Sequence, residues 1–228
     1  MLIRIFVDTN NLYVNDNQII KNPVNFGIFD KIRRYLYTDH IKNATRMYIS
    51  ETVMNELLYK NVKTFNEEKA KLEKENERLK KVFGDNLISK GKVKWDNSED
   101  FKKYVADEIK KFIDSNDDIY RSRIPKDLHN LFERAFNKQP LFVEATGAGK
   151  KYTDAGLKDN LLLEEVRSSL DLNDIGIILT KDNDFSSINE VYNNIFVTKI
   201  ENLELLLEEK IPKYKYYRII HKLNIRDT

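Results

Sequence analysis

The sequence predicts an α/β fold, on three observations. Two short apolar runs, Leu2–Val7 and Ile175–Leu179, have the length and β-branched composition of buried strands, and each ends in a polar turn. Segments with helical periodicity lie between them, as expected where strands alternate with helices. Hydrophobic residues make up 41% and aromatic residues 11% of the 228 residues, enough for a packed core.

The first 60 residues contain four predicted elements. After the first strand, the cluster Asp8-Thr-Asn-Asn11 favours a turn, and apolar positions from Phe29 to Leu36 follow a helical period. Arg46–Ile49 is predicted as a second strand. Ser50 is a good N-cap for the helix that follows, whose apolar face contains Val53, Met54, Leu57 and Leu58.

A helical insertion is predicted over about 62–145. Residues 66–81 are highly charged, with Leu72 and Leu79 one heptad apart, which indicates an exposed helix with a narrow apolar seam. Two amphipathic stretches follow, around 101–112 and 128–136. The α/β pattern then resumes with a helix over Leu157–Leu170, the strand Ile175–Leu179, a strand over Asn194–Val197 and a helix over Leu203–Leu207. We therefore expect residues 1–228 to form one domain that carries this insertion.

Composition limits the chemistry. The chain has no cysteine, which excludes a disulfide scaffold, a thiolate zinc site and a cysteine nucleophile, and its 3 histidines show no ligand spacing or triad signature. With 39 Lys and Arg against 37 Asp and Glu, the net charge of +2 is not the strong basic signal of a nucleic-acid binder. The apolar runs are too short for a signal peptide or a spanning helix, so we expect a cytoplasmic protein without a membrane partner.

Acidic residues follow the predicted strands. Asp8 ends the first strand, and Asp182 and Asp184 come shortly after Ile175–Leu179. Ligands bind at the carboxyl ends of strands in open parallel sheets. Asp159 opens the helix before that strand, and Glu56 lies early in the helix after Ser50. If these carboxylates share one cleft, Mg²⁺ or Mn²⁺ is the natural counter-ion, and such a site can hydrolyse phosphodiesters. The alternative is that each acid is only a helix cap or turn residue.

Four segments resemble the motifs of PIN-domain nucleases, and they occur in that family's order. They are Phe6-Val-Asp-Thr-Asn-Asn-Leu12, Ile49-Ser-Glu-Thr-Val-Met-Asn-Glu-Leu57, Gly156-Leu-Lys-Asp-Asn-Leu161 and Leu179-Thr-Lys-Asp-Asn-Asp-Phe185. The resemblance covers about residues 1–60 and 150–200. The predicted insertion departs from the compact toxin-type members and is nearer to larger PIN-like nucleases.

The resemblance implies a three-layer α/β/α sandwich with a central parallel sheet and a metal-dependent nuclease that acts on RNA, with a toxin-like or host-defence role. It implies a catalytic quartet of Asp8, Glu56, Asp159 and Asp182. It also implies that Mg²⁺ or Mn²⁺ is held by Asp8, Asp159, Asp182 and Asp184, and that Asn10 and Thr180 orient ligands or water.

Basic residues indicate where a nucleic acid would bind. A glycine-rich loop carries Lys150 and Lys151, Lys158 follows it, and the basic aromatic tail over about 210–228 carries Lys213, Lys215 and Arg218 among tyrosines. Lysines neutralise phosphates and tyrosines stack on bases. The tail tyrosines can instead pack on the core. The loop lacks P-loop spacing, because Glu144 occupies the first glycine position and Lys151 the Ser/Thr position.

Two other functions stay open: a non-catalytic PIN-fold module that binds nucleic acid or protein, and a nuclease directed at DNA. A haloacid-dehalogenase phosphatase is disfavoured because Asn10 occupies the place of its second acid. We expect RNA rather than DNA as partner. An inhibitor or antitoxin protein and a homo-oligomer stay open.

Overall fold

A computed structural model describes residues 1–14, 20–36, 39–84, 91–137, 156–182, 185, 188, 192–211 and 214. Its strands are β1 (Ile3–Val7), β2 (Thr45–Ile49), β3 (Ile119–Arg121), β4 (Ile175–Leu179) and β5 (Ile195–Thr198). Its helices are α1 (Thr9–Leu12), α2 (Gly27–Tyr35), α3 (Asp39–Asn43), α4 (Glu51–Phe83), α5 (Ser98–Asp114), α6 (His129–Phe136), α7 (Leu157–Ser169) and α8 (Leu203–Lys210), with a 3₁₀ turn at Ile200–Asn202.

The five strands form one all-parallel sheet in the order β3-β2-β1-β4-β5. The predicted α/β class is therefore confirmed. The strand order runs outward from β1 in one direction and from β4 in the other. Parallel strands joined in this way need crossover connections, which as a rule are right-handed and cover both faces of the sheet. This topology is compatible with a three-layer α/β/α sandwich.

The core sits around the three central strands. β1, β2 and β4 are buried along almost their whole length, as expected for parallel strands covered on both faces. Phe6 of β1 stacks on Tyr48 of β2 with ring centroids 4.7 Å apart. The edge strands β3 and β5 are more exposed. The sheet is therefore buried at its centre and more exposed at its two edge strands.

Helix α4 is one continuous helix of 33 residues, so the predicted start of the insertion at 62 falls inside it. Its first half packs in the core as far as Phe65, and its buried residues end there. Ser50 caps it, because the Ser50 hydroxyl accepts a hydrogen bond from the Val53 amide at 3.1 Å. Phe65 stacks on Phe101 of α5, with centroids 4.6 Å apart.

The segment predicted as a helical insertion also contributes a strand to the main sheet. β3 pairs with β2 at Met47 and Ile119. Three residues are too few to show a strand period in the sequence. A side-chain pair fixes the position of β3: Arg33 of α2 donates to both carboxylate oxygens of Asp118, at 2.8 and 2.7 Å. Residues 138–145 lie outside the described part.

The described part of the tail packs on the core. Tyr214 is fully buried, and its hydroxyl donates to the Tyr35 carbonyl, so this tyrosine does not offer its ring to a base. The predicted substrate-binding residues Lys150, Lys151, Lys213, Lys215 and Arg218 lie outside the described residues. Among the described helices, none combines the length and hydrophobicity needed to cross a bilayer.

Candidate active site

Asp8 lies where the strand order of the sheet reverses. It follows β1 directly, and its amide donates to the carbonyl of Leu179, the last residue of β4, at 2.9 Å. Thr180, the next residue after β4, donates its hydroxyl to Asp8 Oδ2 at 2.7 Å. In doubly wound sheets, ligands bind in the crevice at the carboxyl ends of the two strands between which the strand order reverses.

The backbone gives Asp8 a structural role as well. It is the N-cap of α1, and its Oδ1 accepts from the Thr9 amide at 2.7 Å. Only 6% of Asp8 is exposed. Burial raises the pKa of the Asp8 carboxyl, and the neighbouring Glu56 charge raises it too. The hydrogen bonds from Thr180 and Thr9 and the charge of Lys60 act in the opposite direction.

Thr9 connects Asp8 to Glu56. Its backbone amide donates to Asp8 Oδ1, and its hydroxyl donates to Glu56 Oε2 at 2.6 Å. The other Glu56 oxygen lies 2.9 Å from the Lys60 ammonium and 4.0 Å from that of Lys158. Lys60 is one helical turn after Glu56, a spacing at which opposite charges meet on a helix. Two acids predicted from separate motifs therefore belong to one hydrogen-bonded network.

Asp182 is linked to this network through its backbone, and Asp159 is the neighbour of Lys158 in the sequence. The Asp182 amide donates to the Thr180 hydroxyl at 3.0 Å, and its side chain is exposed. Asp159 lies in the first turn of α7, half-buried and next to Lys158. Asp184 is outside the described residues. The Thr180 hydroxyl thus links the backbone of Asp182 to the carboxylate of Asp8.

Of the two asparagines after Thr9, the buried one is Asn11. Its side-chain amide donates to the Leu179 carbonyl at 2.8 Å, tying α1 to the end of β4. Asn10, which the resemblance assigned to ligand orientation, is exposed, and its backbone carbonyl accepts from Lys181 at 3.1 Å. A sequence cannot separate these neighbours, since both follow the same strand.

Glu165 is a buried acid that the sequence did not single out. It is fully buried on α7 and accepts four hydrogen bonds, from the Glu51 amide at 2.9 Å, the Thr52 amide at 2.8 Å, the Thr52 hydroxyl at 2.5 Å and the Ser122 hydroxyl at 2.7 Å. Glu165 accepts one backbone amide and one hydroxyl hydrogen bond at each carboxylate oxygen. It also sits at the positive end of α4, where an anion is stabilised. Glu165 therefore joins α7 to the start of α4 and the end of β3.

A groove adjoins Glu56 between α4 and α7. It holds about 210 Å³ and is lined by Thr52, Asn55, Glu56, Tyr59, Ile124, Lys158 and Leu161. A larger cleft of about 440 Å³ lies near the amino ends of β2 and β3, beside Arg33, Thr45 and Asp118. That cleft is at the opposite edge of the sheet from Asp8, so the smaller groove is the one next to the acids.

Comparison of the chain with protein-family models, with curated proteins and with solved structures found no significant match. The resemblance to PIN-domain nucleases therefore depends on the four motifs.

The donor set suits a hard cation, because the side chains at this edge offer carboxylate oxygens. Within the described ranges, no three Asp, Glu or His side chains surround one point closely enough to hold an ion. Mg²⁺ does not require such a cage. It is usually held by one or two carboxylates and keeps several waters until substrate phosphates replace them. Two carboxylates at this edge of the sheet would therefore be enough to hold such an ion.

Proposed function

We propose that this chain is a Mg²⁺- or Mn²⁺-dependent nuclease of the PIN type that hydrolyses RNA phosphodiester bonds. The observation that carries the proposal is the position of Asp8: a buried carboxylate at the switch point of the sheet, hydrogen-bonded to Thr180 and linked through Thr9 to Glu56. A cap residue would need only the helix amide as a partner. Asp8 has an additional donor, the Thr180 hydroxyl just after β4, and an acidic neighbour in Glu56.

The acids have distinct tasks in this proposal. Asp8, with Asp159, Asp182 and Asp184, would hold the ion, and Thr180 orients Asp8 by donating to one of its oxygens. Glu56, held by Thr9 and Lys60, would orient the attacking water. When bound, a divalent ion lowers the pKa of that water and stabilises the leaving oxygen.

Lysines at the same edge provide the charge that an RNA backbone requires. Lys60 and Lys158 flank Glu56, and Lys181 lies beside Asn10. Each phosphate contact of this kind adds affinity that falls as salt rises. The near-zero net charge of the chain therefore does not argue against a nucleic-acid substrate, because cations and acids are both present at this edge.

The test is a cleavage assay on end-labelled single-stranded RNA and DNA of the same sequence, with Mn²⁺, with Mg²⁺ and with EDTA. We expect metal-dependent cleavage of RNA, and a loss of about 100-fold or more in Asp8→Asn, since the metal contributes several kcal/mol of transition-state stabilisation. The matched control is Asp171→Asn, the same change at an 84% exposed side chain near the amino end of β4. It should cleave like wild type.

Equal cleavage by wild type and Asp8→Asn would refute the mechanism, because the activity would then come from another site or a contaminant. RNA binding without cleavage in any metal would favour the non-catalytic module. Cleavage of DNA alone would favour the DNA-directed nuclease.

A further inference from the structure

The groove beside Glu56 has the features of a base-binding site. Thr52, Asn55, Glu56 and Tyr59 follow the spacing i, i+3, i+4 and i+7, so they lie along one stripe of α4. Lys158 and Leu161, three residues apart on α7, form the facing wall. Glu56 belongs both to the α4 side of the groove and to the Asp8 network. A strand bound at Asp8 is therefore next to the groove.

Tyr59 is the exposed aromatic side chain of this stripe. It is 66% exposed, although it lines a groove that also contains the apolar residues Leu161 and Ile124. A largely exposed tyrosine with apolar neighbours is a surface on which an unpaired base can stack. The volume of about 210 Å³ is below the roughly 300–1,000 Å³ of sites for drug-sized ligands, which suits a single flat ring system.

The charges at the groove favour a nucleic acid over an apolar peptide. The Lys158 ammonium lies 4.0 Å from Glu56, which belongs to the Asp8 network, and the Lys158 side chain is 46% exposed. A cation in that position can contact the phosphate that joins a stacked base to its neighbour. Asn55, also exposed, offers both a donor and an acceptor to a base edge.

We propose that this groove binds one unstacked base of a single-stranded nucleic acid, with the base on Tyr59 and its phosphate at Lys158. The inference rests on the proposed function for its substrate class. The nucleotide bound in the groove would be the one next to the cleaved bond. Duplexes, whose bases are stacked and paired, cannot use this site without local opening.

The experiment measures binding apart from cleavage. Fluorescence anisotropy in EDTA gives the affinity of the full chain for a single-stranded RNA and for an abasic backbone of equal length and charge. Stacking is worth about 1–3 kcal/mol per base, so Tyr59→Ala should weaken RNA binding by about 5- to 150-fold at 1.4 kcal/mol per tenfold. It should leave binding of the abasic backbone unchanged. Tyr59→Phe keeps the ring and should bind RNA like wild type.

Two further variants make the result specific. Phe83→Ala removes another exposed aromatic from α4, about 36 Å along the helix at 1.5 Å per residue, and should change nothing. Lys158→Ala should weaken RNA and abasic backbone alike and reduce the salt slope by about 1.

RNA affinity in Tyr59→Ala equal to that of wild type would overturn the inference. So would a change in oligomeric state with unchanged affinity, since the groove would then be a protein interface. Failure of the proposed function is distinguishable, because it appears as absent cleavage with metal and does not depend on Tyr59.

Discussion

Replacement of Glu165 tests how the candidate site is held together. The carboxylate is fully buried and accepts hydrogen bonds from four donors, three in the first turn of α4 and one on Ser122, just after β3. In Glu165→Ala the two hydroxyl donors can rotate towards other acceptors, whereas the amides of Glu51 and Thr52 are fixed by the helix. An unsatisfied buried donor costs about 1–3 kcal/mol. Loss of the anion at the α4 N-terminus adds about 1 kcal/mol.

We therefore expect Glu165→Ala to lower the free energy of unfolding by about 3–5 kcal/mol, the range for removing one partner of a buried charged network. Glu165→Gln should cost about 1–2 kcal/mol. Its amide oxygen still accepts from Thr52 and its nitrogen can donate to the Ser122 hydroxyl, but the Glu51 amide loses its acceptor. The order of the two variants is thus fixed by the geometry.

Urea unfolding, followed by circular dichroism and by the fluorescence of the single tryptophan, Trp95, measures both values. In thermal unfolding the alanine variant should melt about 6–20 °C lower. Glu67→Ala, at an exposed position of α4, is the control and should stay within about 0.5 kcal/mol of wild type. An alanine variant within about 1 kcal/mol of wild type, or a glutamine variant as unstable as alanine, would refute the reasoning.

Two predictions concern pH and have opposite signs. The raised pKa of Asp8 means that the folded state binds this proton more tightly, so wild type loses stability as pH rises from 3.8 through the raised value. Without metal, the stability of Asp8→Asn relative to wild type should therefore increase in urea midpoints as pH rises above about 4. A decrease would contradict this. Arg33 instead lowers the pKa of Asp118, so the stability from this pair is complete above 3.8 and is lost as pH falls through the lowered value. Acid denaturation should show wild type more stable than Asp118→Asn at neutral pH, with the two curves converging in acid; parallel curves would count against the pair.

Local sequence patterns predicted most of the elements. β4 was predicted at its observed bounds, and Ser50 caps α4 as expected. These features depend on neighbouring residues: a run of apolar side chains, a hydroxyl before a helix, a period of 3.6. β3 was missed because its three residues show no period, and it is placed by pairing with β2 and by Arg33.

The sequence by itself determined that acids follow the strands β1 and β4, because strand and turn propensities are local. It also determined that Lys60 comes one helical turn after Glu56. Tertiary structure alone decided that β1 and β4 are neighbours at the switch point, so that Thr180 meets Asp8 across 172 positions. It also decided that Asn11 rather than Asn10 is buried. In the same way, it brought Glu165 to the amides of Thr52 and Glu51, which lie 113 and 114 positions away in the sequence. Contacts over such distances depend on how the elements pack, and packing leaves no periodic signal in a single sequence.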